Sequence, residues 1–354
     1  LFEWIFRFAI ETEGTQVRKR YIPKIAYKFI TAFAATAVAA VTMTGCATAS
    51  TNVASQTPLP ELTLVTHDSF AMSKELLAEF KTQTGITVNI VKAGDAGALT
   101  NKLVLTKDAP IGDAFFGIDN TFSGVALENK IVSGRLTAID FGDVCMNYDK
   151  AWFTSKGFAA PTSVDQLIQP TYKNLTVVEN PSTSSTGLAF LAATVAKYGE
   201  SGWQNYWKQL KANGVKVTAG WEDAYYTEFS GSTGKGKYPI VLSYASSPAY
   251  EIRKDGTSGT ASILDGCFRQ TEYAGVLTKA KNPAGAQLLI KFMLSKSFQS
   301  AIPESMYVYP IVKSTQLPAD WAKWATVSDA PLGSDLDINA NRKAWLTAWS
   351  DIFG

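Results

Sequence analysis

An α/β fold arranged as two lobes is the class this sequence predicts. Three observations carry it. Short apolar runs of β-like composition alternate with segments whose apolar residues recur at helical spacing. That alternation occurs twice, over residues 62–118 and again over residues 161–277. With 354 residues, 46% hydrophobic and 18% charged, the chain is long enough to bury one or two cores and too apolar for intrinsic disorder.

The first series opens with a strand over residues 62–66. Met72, Leu76, Leu77 and Phe80 then share a helical face, and Gly85 marks its stop. Residues 88–91 form the next strand. Leu99, Leu103 and Val104 lie on one side of a second helix, and residues 113–118 form a third strand. A βαβαβ opening of this kind implies a parallel sheet covered by helices. In the second series Pro161-Thr162-Ser163 starts a helix, with Thr162 or Ser163 as N-cap. A strand over 175–178 precedes an Ala-rich helix over 187–198 and a Trp- and Tyr-rich helix over 202–213. Strands over 216–218 and 240–244 flank a helix over 222–229. Residues 269–277 read as a strand, 283–300 as one long helix and 340–352 as the last helix. Trp345 and Trp349 stand four apart on its face and, with Trp203 and Trp207, read as packing residues.

The N-terminal segment is an address. Arg18, Lys19, Arg20, Lys24 and Lys28 form a basic run, and residues 29–43 carry no charge. Fifteen apolar residues are too few to span a bilayer, which takes about 20. A basic region, a short apolar stretch and small residues describe a secretory signal over residues 1–45. Met43-Thr44-Gly45-Cys46 resembles a bacterial lipobox with Met in place of the usual Leu, so Cys46 is expected to carry lipid. The alternative is an ordinary signal peptide with an incidental Cys. Residues 1–17 fit neither part and are read as sequence upstream of the true start. Residues 46–60, rich in Thr, Ser, Ala and Pro, read as a lipidated Cys and a flexible tether. The signal holds six of the 33 basic residues and three of the 31 acidic ones. The remainder carries 27 and 28, so the formal charge of +2 becomes −1.

Composition excludes several function classes. One His, His67, rules out His-rich metal sites, and no metal ligands are assigned. Three Cys are too few for a disulfide scaffold or a structural zinc site. A near-zero charge does not suggest nucleic acid. Residues 231–237 fit the start of a phosphate-binding loop, but Tyr238 replaces the required Ser or Thr and a strand follows in place of a helix. They read as a surface turn.

In open α/β sheets ligands sit beyond the carboxyl ends of strands. There the sequence places His67-Asp68-Ser69, Gly94-Asp95, Asp119-Asn120, residues 181–187, Gly220-Trp221 and residues 244–250. These acids, hydroxyls and aromatics suit a planar, cationic, polar ligand. Each also has a plainer reading. Trp221 and Tyr244 could be core aromatics, Asp95 an N-cap, and His67 a satisfied surface or core residue. Asp119 reads as a cap for the next helix ahead of a ligand contact.

Five of these stretches, with one more near the C-terminus, also carry a resemblance. They are Thr66-His67-Asp68-Ser69-Phe70, Gly117-Ile118-Asp119-Asn120, Asn180-Pro181-Ser182-Thr183-Ser184-Ser185-Thr186-Gly187, Gly220-Trp221-Glu222-Asp223-Ala224-Tyr225, residues 242–250 and Phe298-Gln299-Ser300-Ala301-Ile302-Pro303. Their order and spacing resemble the thiamine-binding subunits of bacterial ABC importers from about residue 62 to the C-terminus. The resemblance implies a type II periplasmic binding protein fold with a two-strand hinge and an interlobe cleft. It implies a first lobe of residues 61–142 plus 268–310, a second of 143–267, and a C-terminal helical segment, 311–354, packed on the lobes.

The same resemblance implies the site. Asp95 falls at the family's carboxylate near the thiazolium. Ser184 opens a helix whose N-terminus suits a hydroxyl or phosphate tail. Trp221, Tyr244 and Tyr250 match aromatics lining the cleft. Tyr307 stands where the family carries a stacking Trp, and His67 where it often carries a Tyr. A Trp expected just after Ser69-Phe70 is absent; Met72 and Ser73 stand there. Cys145, on the implied first hinge strand, and Cys267, before the returning one, are expected to form a disulfide, the alternative being two buried thiols.

The implied function is an exported, lipid-anchored, monomeric solute-binding protein without a cofactor. It would take thiamine or its phosphates and deliver them to an ABC permease. One alternative is ferric iron, which Tyr225-Tyr226 invites. The other is a thiamine-cleaving enzyme with Cys145 as nucleophile.

Overall fold

The computed structural model describes residues 57–232 and 235–354. The expected signal, the lipidation site Cys46 and most of the expected tether lie outside them. The end of that tether does not hang free. Leu59 donates to and accepts from the Asn282 side chain, and Thr87 N–H reaches Pro60 O.

The first series forms as read. β1 (Glu61–Thr66) lies parallel between β2 (Thr87–Lys92) and β3 (Ala114–Asp119). α1 (Lys74–Thr84) links β1 to β2, capped by the Ser73 hydroxyl at Leu76 N–H and closed by Gly85 at φ 74°. α2 (Ala96–Leu105) links β2 to β3, with Asp95 as N-cap. A short α3 (Ser123–Glu128) follows.

Two long strands then change the architecture. β4 (Val132–Asp149) is followed by α4 (Lys150–Lys156), and its antiparallel partner β8 (Thr260–Leu277) begins nine residues earlier than the strand expected at 269. Between them in sequence come β5 (Thr176–Glu179), α5 (Ser185–Ala212), β6 (Lys216–Thr218) and β7 (Ile240–Tyr244). β5 pairs in parallel with β6 and β7, and β7 pairs antiparallel with β4. The strand order is therefore β2-β1-β3-β8-β4-β7-β5-β6. The parallel sheets expected from periodicity exist on both sides, and the two antiparallel strands that join them make a two-lobed fold. β3 meets only the 272–276 end of β8, and β7 only the 144–148 end of β4. The strands thus pass from one lobe to the other near residues 141–144 and 268–271.

Local differences have local causes. α5 is broken by Gly199 at φ 68°, so the two expected helices meet without a loop. The expected 283–300 helix is instead α6 (Pro283–Met293) and α7 (Lys296–Ser305), because the Ser295 hydroxyl accepts Phe298 N–H and restarts the helix. The helix expected after Pro161 is only a 3₁₀ turn over Val164–Ile168, and that over 222–229 is a π-helix over Asp223–Glu228. β9 (Tyr309–Pro310) adds to β4. After α8 (Ala319–Trp324), the chain runs behind the hinge, where Leu332 N–H bonds Cys267 O. α9 (Ile338–Phe353) then packs on α5, with buried Trp349 edge-on to buried Trp207. Trp203 and Trp345 are buried too.

Cys145 and Cys267 are bonded, with their Cα atoms 4.5 Å apart, beside the register shift where β4 and β8 change lobes. The bridge ties positions 122 residues apart in sequence. Replacing both Cys by Ser is expected to lower unfolding free energy by about 3–5 kcal/mol, since a loop of that length constrains the unfolded chain strongly. Denaturant unfolding of the two forms measures it.

Candidate ligand-binding site

A cleft of about 300 Å³ lies between the lobes, at the carboxyl ends of β1, β2, β6 and β7. That is near the lower end of ligand-pocket volumes of about 300–1,000 Å³. His67, Asp68 and Ser69 follow β1, and Asp95 follows β2. Thr183, Ser185 and Thr186 come from the start of α5, Trp221 to Asp223 from the turn after β6, Tyr244 from β7 and Glu272 from the hinge.

His67 is set by close approach. Gly117, at φ 97° on β3, has no side chain, and a Cβ there would fall 1.9 Å from His67 Cδ2. Ser69 N–H donates to Nδ1, so the ring proton sits on Nε2. Nε2 stands 3.2 Å from Glu272 Oε1. Burial lowers the affinity of the ring for a second proton, but the charges of Glu272, Asp95 and Asp68 outweigh it and raise the pKa.

Asp95 is occupied differently from the expected role. It does cap α2, accepting from Ala96 N–H. It also accepts from Ser184 Oγ at 2.9 Å, Trp221 N–H at 2.9 Å and Ser185 N–H at 3.3 Å, all from the other lobe. Burial raises its pKa, and those hydrogen bonds oppose the rise. The carboxylate expected near a thiazolium is thus the N-cap of α2, as the plainer reading had it, and an interlobe tie. Ser184 is likewise corrected. It is fully buried behind the wall, bonded to Asp95 and Thr186, so its hydroxyl is not presented to a ligand tail. Behind it Thr186 donates to Glu179, which burial holds well above the usual carboxylate range.

Trp221 and Tyr244 line the cleft, so neither is a core aromatic alone. The Trp221 indole stacks on Tyr225 at 4.9 Å and donates to Ser243 Oγ. Tyr244 donates to Gln270 Oε1 at 2.7 Å, across the glycine gap at Gly142. Tyr250 and Tyr307 do not line this cavity. They meet edge to face at 4.4 Å, with Tyr226 beside Tyr250, and join the lobes at its rim. The Tyr307 carbonyl accepts from Ser246 Oγ at 2.6 Å, which holds its backbone at φ 58°. Ala98 N–H to Thr183 O, and Ser69 to Glu222, complete the contacts across the mouth. The structure is therefore a closed form.

Asp119 is not the helix cap expected from the sequence: α3 begins at Ser123 with Phe122 in the N-cap position and no side-chain cap, and the Asp119 carboxylate instead closes the turn before it. It accepts from the Thr121 hydroxyl, from Phe122 N–H and from the Gln270 amide on the hinge. Burial lifts its pKa to about 7. Glu272 and Gln270 were missed. Both sit inside a strand read only for its apolar residues, and an acid within such a strand was the available signal. Tyr225, half of the pair that invites iron, is buried with its hydroxyl on Glu251, and burial pushes it well above the usual tyrosine range. That opposes the tyrosinate that ferric binding needs. Cys145, weighed as a nucleophile, is buried and bridged.

The family described as bacterial extracellular solute-binding protein matches residues 117–329. The thiamine-binding periplasmic protein of Salmonella typhimurium is 31% identical over 313 residues, 82% of this chain and 92% of that protein. Its counterpart in Escherichia coli is 30% identical, with 82% of this chain and 92% of that protein covered. The solved structure of a periplasmic thiamin binding protein superposes with a TM-score of 0.73 at 27% identity, covering 83% of this chain and 96% of the other.

Proposed function

The chain belongs to the bacterial extracellular solute-binding proteins, and from that membership we propose that it captures thiamine or a thiamine phosphate between its lobes and passes it to a membrane permease. One observation supports this most. The cleft wall carries Asp68, Asp95, Glu222, Asp223 and Glu272, and among the described residues lining it there is no Lys or Arg. Trp221, Tyr244 and His67 add flat faces to that negative wall. A planar heterocyclic cation meets both needs, through stacking and charge. The two relatives at 30–31% identity are named for thiamine, which fits the same chemistry.

Ligand contacts made from both lobes favour the closed form, and a permease that recognises that form would receive only loaded protein. The relatives are periplasmic, so export is part of this reading. A lipid on Cys46 would hold the protein at the outer face of the cytoplasmic membrane; mass spectrometry of the mature N-terminus tests that separately.

Calorimetric titration with thiamine, its mono- and diphosphate and Fe(III) tests the function. Thiamine is expected to bind at one site and to quench Trp fluorescence, because Trp221 lines the cleft. Absence of thiamine binding, with a visible tyrosinate band on adding Fe(III), would overturn the reading.

A further inference from the structure

Three acids lie in a row across the hinge. Glu272 on β8 is the register partner of Asp119 on β3 and of Asp140 on β4. Like charges directly opposite one another in a sheet repel, so the row cannot carry three charges in a buried setting. Asp119 and Asp140 have no exposed surface, and Glu272 alone of the three lines the cleft. Burial and the Glu272 charge hold Asp140 well above the usual carboxylate range, so it keeps its proton. Against burial, the nearby His67 and a hydrogen bond from Asp140 hold Glu272 below its ordinary value. The negative charge of the row therefore collects on the member that faces the cleft.

Asp95 cannot serve the same end, since three donors from the opposite lobe already take its oxygens. Glu272 takes no donor from the opposite lobe: its partners are Asp140 and His67, whose Nε2 is the cleft group beside it at 3.2 Å. From this geometry we propose that Glu272 is the specificity-determining counter-charge for the ligand cation, with His67 as the group that shares that carboxylate. This rests on the thiamine reading and deepens it. The other charged groups around His67 are Asp68 and Asp95, both acidic, so the ring and the ligand draw on the same negative wall.

The test separates charge from shape. It compares thiamine with its neutral isostere, in which carbon replaces the charged ring nitrogen, by calorimetry. Wild type is expected to prefer thiamine by about 50-fold, and Glu272→Gln to reduce that preference to about 3-fold. An unchanged preference in Glu272→Gln overturns the proposal. If Glu272→Gln binds neither compound, Glu272→Asp decides: restored preference for the cation supports the proposal, and its absence overturns it. Wild type that binds no thiamine defeats the functional reading itself, which is a distinguishable result.

Discussion

Asp95→Ala is expected to weaken thiamine binding by roughly 100- to 1,000-fold, because the carboxylate joins the lobes through three donors. Hydrogen bonds to a charged group contribute about 1.5–3 kcal/mol each, and two of these donors are backbone N–H groups left without their partner. The variant also loses the N-cap of α2, at a cost of about 1 kcal/mol in stability. Affinity should fall far more than stability, because most of the lost contacts exist only when the lobes meet. Calorimetry gives the affinity, and small-angle scattering should show a more open average shape. Wild-type affinity in Asp95→Ala would mean that closure does not depend on this tie.

Gly97→Ala is expected to separate the same two quantities more cleanly. Gly97 lies in α2, where Ala is a better helix former by about 1 kcal/mol. A Cβ there would stand 2.7 Å from the Thr183 carbonyl carbon and oxygen, on the facing lobe, and 2.8 Å from Phe122 Cζ. Phe122 is fully buried and its Cζ lies on the ring axis, so only a small shift of the side chain relieves that contact, whereas the Thr183 backbone is held where Ala98 N–H meets its oxygen. The added methyl is therefore a wedge between the lobes. Overpacking of this kind costs about 1–3 kcal/mol, which predicts a loss of affinity of about 10- to 100-fold, while the melting temperature changes little because the gain in helix propensity offsets the contact with Phe122. Gly97→Val should be worse on affinity. Thermal unfolding and titration of the same samples measure both effects.

Much of the fold was legible because local chemistry decided it. Gly85 stopped α1, Gly199 broke α5, and the apolar alternation marked β1, β2, β3, β5, β6 and β7 to within a residue or two. What failed locally was also instructive. Ser295 was a stronger signal than the apolar run through it, and residues 260–268 became strand through pairing with β4, since their own pattern is weak. The cleft was legible as strand ends. His67, Asp95, Trp221 and Tyr244 do line it.

The roles within the cleft were decided only by the tertiary structure. Sequence alone determined two α/β series, their strand ends and a choice of acids, hydroxyls and rings suited to a planar cation. A side chain's identity fixes what it can donate, accept or stack on; its neighbours decide which of these is left over for a ligand. Asp95 and Ser184, 89 positions apart, satisfy each other across the lobes, so the best acid in the motif is spent on closure. Glu272 is flanked in register by Asp119 and Asp140, residues more than 130 positions away, so burial and repulsion leave the charge on it. Such pairings depend on strand order and lobe contact, which no local spacing encodes.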